Sequence, residues 1–297
     1  MAFPQNGRRS LDGSVGRTQS ASSPRALQAI LGSRLRGLRR ARGLTQTEAA
    51  GHLGHHASKI SRLETGCGGC RDEDLRALLE LYAVDESERG RYLIWARRVG
   101  HSWWPDDRDG DDSSLDALLD LAPLRHIRAY EQSVVPELLQ TPDYARAVLE
   151  LVHPTRTAAA IDRLLAARAR RRALLDHDTP PLLWIHVELT ALRRRIGGKA
   201  VWDKQIEYLQ ELAHRPRVTL QIVDDDLNEP ARLGHGFTSF RFADPRLPDL
   251  VCIPQLTGVV CLDEAAHTDE YLQALDRLSS TATQRAQTLT RLAELRN

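Results

Sequence analysis

The sequence predicts two domains: an all-α N-terminal unit of five helices, and a C-terminal α+β unit with a mixed sheet of about five or six short strands. Three observations carry this. A chain of 297 residues, 41% hydrophobic, is long enough for two ordinary cores. Up to about residue 100, apolar residues recur three and four positions apart, the period of an amphipathic helix. Beyond about residue 115, helical runs alternate with short segments rich in β-branched and aromatic residues, the pattern of strands.

Residues 1–22 are rich in Ser, Gly, Arg and Gln and nearly devoid of large apolar side chains, so they read as a disordered arm. No apolar stretch follows Arg8 and Arg9, so no secretory signal is expected and a cytoplasmic location follows by default. No apolar run approaches the ~20 residues that cross a bilayer. The helical unit is expected over 23–100. Ser23-Pro24 starts its first helix, Leu27, Ile30, Leu31, Leu35 and Leu38 form the apolar stripe, and Gly43 ends it. Thr45 caps the second helix, with Glu48 completing a capping box. Gly54 breaks the chain in a left-handed turn, and a third helix runs from about His56 to Glu64, stopped by Gly66. Leu75, Leu78, Leu79 and Tyr82 mark a fourth helix over 71–83. Asp85 opens a fifth, with Glu88 as its capping partner and Tyr92, Leu93, Trp95 and Ala96 inward.

The third helix carries the functional reading. At about 100° per residue, Ile60 and Leu63 share one narrow arc, and Ser58, Ser61 and Arg62 fall opposite, flanked by Lys59. Such an edge suits the DNA major groove, where serine hydroxyls donate or accept and arginine pairs bidentately with guanine. His56, Ala57, Ser58, Ser61 and Arg62 are the expected base readers. Thr45, Gln46, Lys59, Arg36, Arg39 and Arg40 are the expected phosphate contacts, Gln46 aided by the helix N-terminus it opens. Charge agrees. Residues 25–71 hold nine Lys/Arg against two acids, whereas the whole chain has a net charge of only +1.

Leu44-Thr45-Gln46 with Glu48 and Ala50, then Leu53-Gly54, then Ser58-Lys59-Ile60-Ser61-Arg62-Leu63-Glu64 with Gly66 resembles the Xre-type, lambda-repressor/Cro-like helix-turn-helix regulators. His55-His56 departs from that pattern, which usually opens the recognition helix with a hydroxyl residue or Trp. The resemblance implies double-stranded DNA as partner and binding as a homodimer to two-fold related half-sites.

Cys67 and Cys70 have the spacing of a zinc knuckle or redox pair, but zinc needs two more ligands. His55 and His56 lie ~13 Å away along the helix. A reduced pair is expected, without metal or cofactor. Cys252 and Cys261 are too far apart in sequence to be judged.

Residues 101–114, with Trp103-Trp104-Pro105 and five Asp, read as an acidic linker. The α+β unit is expected over 115–297. It starts with a helix at Leu115, Leu118 and Leu119 and an extended segment at 127–135. A helix capped by Thr141 with Pro142 at its first position follows, then a long helix over 156–176. Strands are expected at 181–187, 218–223, 236–242, 250–254 and 259–262, with a helix at 200–214 and two more at the end. Val134-Val135-Pro136-Glu137-Leu138-Leu139-Gln140-Thr141-Pro142-Asp143-Tyr144-Ala145-Arg146, Glu188 with Ala191-Leu192-Arg193-Arg194, and Gly234 with Gly236-Phe237 resemble the C-terminal domain of unknown function attached to such helices in many actinomycete regulators. Those proteins are called antitoxin-like and are usually encoded beside a small partner protein. The resemblance implies sensing of a small-molecule effector, dimerisation, or capture of the neighbouring gene's product.

An enzyme is not expected. Glu188, His186, Arg193–Arg195, His235 and Asp224–Asp226 lie near strand ends, but no phosphate-binding glycine loop, nucleophile elbow or paired metal-binding histidines accompany them. His186 alternates with Trp184 and reads as a core or edge residue.

Overall fold

The computed structural model describes residues 25–68, 70–99, 123–224, 234–255 and 258–296. The expected arm at 1–22, the linker at 101–114, the helix around Leu115 and the Trp95 side chain lie outside the described residues. Five helices form the N-terminal unit: α1 (Arg25–Ala41), α2 (Gln46–His52), α3 (Ala57–Glu64), α4 (Asp72–Leu81) and α5 (Glu86–Val99). The expected capping box is present. Thr45 Oγ1 accepts the Glu48 N–H at 3.2 Å, and Glu48 accepts the Thr45 N–H at 2.7 Å. Gly54 holds the turn between α2 and α3 at φ 67°. Ile30, Leu35, Ala49, Ala50, Ile60, Leu63, Leu75 and Leu79 build the core. Burying each larger aliphatic contributes about 1.5–3 kcal/mol.

The C-terminal unit runs β1 (Leu124–Glu131), α6 (Pro142–Val152), α7 (Ala158–Arg172), β2 (Leu182–Glu188), α8 (Leu189–Arg193), α9 (Lys199–His214), β3 (Val218–Val223), β4 (Phe237–Phe242), β5 (Leu250–Gln255), β6 (Gly258–Leu262), α10 (Ala265–Thr281) and α11 (Arg285–Arg296). A 3₁₀ turn at Glu137–Leu139 precedes α6. The sheet order is β3-β2-β1-β4-β5-β6. Helical crossovers join β1, β2 and β3, so these pair in parallel. β4 to β6 are antiparallel and β4 lies against β1, which makes β1 the seam of a six-stranded mixed sheet.

Alternation along the strands decides which element covers which face. Ile127, Ala129, Leu183, Ile185 and Val187 share one core with Tyr144 of α6 and with Trp202, Ile206 and Leu209 of α9. Tyr130 and Phe237 share the other core with Leu275 and Leu278 of α10. A polar network also seats α10. Arg128 pairs with Asp276 at 2.7 Å, Gln221 Nε2 donates to the Thr283 carbonyl at 3.0 Å, and the Ile222 N–H donates to Thr283 Oγ1 at 2.7 Å. Between the two units, Ser33 of α1 donates to Asp244 at 3.2 Å.

Candidate nucleic-acid interface

Helix α3 turns its apolar stripe inward: Ile60 is 1% exposed and Leu63 6%. His56, Ser58 and Arg62 are exposed, with Ala57 and Ser61 half-buried. Within the described residues, no hydrogen bond or ion pair engages the side chains of Ser58, Ser61 or Arg62. The outer edge of α3 thus presents two hydroxyls and one guanidinium. His56 takes the N-cap position with no side-chain cap bond.

Glu64 ends α3 on its inner side and is 2% exposed. Four positions beyond Ile60, it falls on the apolar face of the wheel. Its carboxylate accepts Arg39 Nε at 2.5 Å, Arg39 Nη2 at 3.0 Å and Gln46 Nε2 at 2.9 Å, and Arg36 Nε lies 3.5 Å away. Burial pushes this carboxyl up. The bonds from Arg39 and Gln46 and the charges of Arg39 and Arg36 outweigh that and hold it below the usual carboxylate range.

This hub redistributes the expected phosphate contacts. Arg39 is corrected from the phosphate-facing set to the interior: it is 7% exposed, and besides Glu64 it donates to the Leu44 carbonyl. A buried carboxylate needs a cation, and Arg39 is the one within reach of a bidentate geometry. Gln46 is half-buried with its amide on Glu64. Arg36 donates to the Glu64 carbonyl oxygen at 3.1 Å and keeps part of its side chain in water. Lys59 bonds Asp74 at 2.6 Å and lies 2.7 Å from His55 Nε2. That lysine bond, ahead of the His55 contact and both groups' charges, holds Asp74 below its usual range against the upward push of burial. Thr45 and Arg40 are exposed. Sequence reasoning missed Glu64. The signal was available, as a charged residue in register with Ile60 on an otherwise apolar stripe.

The cysteines are thiols. Burial pushes Cys70 up to about 12, with the charge of Asp74 adding to it, which favours its neutral thiol. Among the described residues no group of three or more His, Cys, Asp or Glu is placed to hold a metal ion. Cys252 and Cys261 stand directly opposite each other across β5 and β6.

Of the polar residues near strand ends in the second unit, His186 and Glu188 are buried, whereas Arg193, Arg194 and Arg195 are exposed. His186 is fully buried and lies 3.2 Å from Ser279 Oγ of α10; burial, then the Arg128 charge, lowers it to about 4. Glu188 accepts the Tyr130 hydroxyl, and Arg194 donates to the Ser133 carbonyl. His235 is exposed. Asp225 and Asp226 lie outside the described residues. Among the described residues no helix is long and apolar enough to cross a membrane.

Residues 30–91 match a helix-turn-helix domain. Residues 124–294 match a domain of unknown function, DUF5753. No curated protein matches the chain.

Proposed function

This chain belongs to the DUF5753 family, with a helix-turn-helix domain ahead of the family domain, and from that premise we propose that it is a sequence-specific, Xre-type transcriptional regulator. One observation carries the proposal: α3 exposes Ser58 and Arg62, with Ser61 half-buried beside them, on the side opposite its buried Ile60–Leu63 stripe. That edge enters the major groove as part of a homodimer on two-fold related half-sites. Arg62 reads a guanine, and the serines contact base edges or methyls beside it. Arg40 and Thr45 hold phosphates, with Lys59 and the exposed part of Arg36 flanking. The α+β unit carries regulation and performs no chemistry of its own.

The test is footprinting on duplex enriched from a random pool by the full chain. Arg62→Ala is expected to cost about 1–3 kcal/mol of binding and to relax preference at one base pair per half-site. An unchanged footprint and affinity for that variant would remove Arg62 from the reading set. Binding is also expected to fall steeply with salt, on the order of one decade or more between about 50 and 200 mM, because each neutralised phosphate releases counterions. A flat salt titration contradicts the phosphate contacts.

A further inference from the structure

Helices cover the α6–α9 face of the sheet unevenly, and a cavity of about 170 Å³ remains over β1, β4 and β5. Its walls are apolar, from Ile127, Ala129, Ile185, Phe240, Cys252 and Val259. At one end stands Glu131, the last residue of β1. No described residue donates a hydrogen bond to its carboxylate or forms an ion pair with it. Backbone closes in beside it, since a Cβ added to Gly236 would lie 2.9 Å from Glu131 Oε2. The neighbouring Glu137 is paired with Arg171 at 2.5 Å and Arg168 at 3.5 Å.

We propose that this cavity is a binding site for a small apolar amine, its hydrocarbon body against the sheet and its ammonium on Glu131. Size sets the body. Cavities of about 150 Å³ admit a benzene ring, so one ring or a short branched chain fits here. Charge sets the head group. A half-buried carboxylate with no described partner, set beside apolar walls, is matched by a cation rather than an anion, and the nearby Arg171 and Arg168 are engaged by Glu137. Burial, with the charge of Glu137 added, pushes Glu131 up to about 7, which fits a group waiting for a cation. The ionisable groups lining the cavity with Glu131 are Glu137 on the 3₁₀ turn, Arg171 of α7 and the Cys252 thiol of β5. β2, β4 and β6 face it with Ile185, with Thr238 and Phe240, and with Val259. The site is independent of the DNA reading, because it concerns the α+β unit alone.

Calorimetric titration of the full chain tests it, with benzylamine as probe and benzyl alcohol as the neutral isostere. At about pH 8, Glu131 is ionised and the amine protonated, so benzylamine should bind about tenfold or more tighter than the alcohol. At about pH 6 the pocket must release a proton to accept the amine, so that advantage should shrink about tenfold while alcohol binding stays constant. Glu131→Gln should abolish the advantage at both pH values and leave alcohol binding unchanged. No heat from benzylamine at about 10 mM, an advantage that ignores pH, or an unaltered advantage in Glu131→Gln each overturns the proposal. The pH comparison uses the unaltered chain and decides the matter even if the variant fails to fold.

Discussion

Glu64→Ala is expected to destabilise the helix-turn-helix unit by about 3–5 kcal/mol, the range for stranding one member of a buried ion pair. The unit would keep every apolar contact of Ile60 and Leu63. What it loses is the acceptor for two Arg39 bonds and one Gln46 bond. Arg39 is 7% exposed and would hold its charge away from water with the Leu44 carbonyl as its remaining acceptor among the described residues. An exposed pair would contribute about 0–1 kcal/mol, so the magnitude separates the two situations. Denaturant unfolding followed by helical signal measures it, and DNA affinity should fall with the folded fraction. The double change Arg39→Met with Glu64→Leu should recover most of the loss, because it removes both charges and leaves apolar volume. A single-variant loss below about 1 kcal/mol would show that the hub contributes no more than a surface bridge.

Gly32→Val is the second large effect. A Cβ at Gly32 would sit 2.4 Å from the Leu63 carbonyl oxygen and 2.8 Å from the Glu64 carbonyl carbon. Both are backbone atoms of α3, so no rotamer change relieves the clash, and α1 and α3 must move apart. Forcing extra methylenes into a filled core costs about 1–3 kcal/mol, and more when backbone must yield. Gly66 is fixed by the same contact from the other side: its added Cβ would lie 2.6 Å from the Ala29 nitrogen, at φ 73°. Gly37 lies one helical turn and a half along α1 with nothing within 4 Å, so Gly37→Ala is the control. That change should stabilise the helix by about 0.5–1 kcal/mol. Thermal unfolding of the two variants should move in opposite directions, and Gly32→Val should lose DNA binding because it displaces the exposed edge of α3. Equal unfolding temperatures would refute the close approach of α1 and α3.

Local signals in the chain were legible and long-range ones were not. The Thr45–Glu48 box and the Gly54 turn rest on residues within four positions of each other, and both stand in the structure as read. The strands of the second unit came from alternation and were located to within a few residues. Arginines were harder. Arg36, Arg39 and Arg40 look alike on a helical wheel, yet Arg39 turns inward and Arg40 stays in water, because Glu64 lies 25 positions later and no local rule links the two. Cys252 and Cys261 could not be paired from spacing, since register across β5 and β6 is a property of the sheet. The cavity beside Glu131 was invisible for the same reason: its walls come from strands scattered over more than 130 positions. Gly32 carried a faint signal, a helix interior that accepts a residue about 1 kcal/mol worse than Ala.

The way α10 closes the sheet sets an order on synthesis. The α1–α5 helices pack mainly on one another within about 75 residues, although their core runs on into that of the second unit, so most of their contacts can form while the rest of the chain is still on the ribosome. The sheet has no such independence: Arg128 of β1 meets Ser279 across 151 positions, and Gln221 of β3 meets Thr283 across 62. Until those residues emerge, the nascent sheet shows a bare aromatic surface to solvent, and in that interval it is most exposed to aggregation.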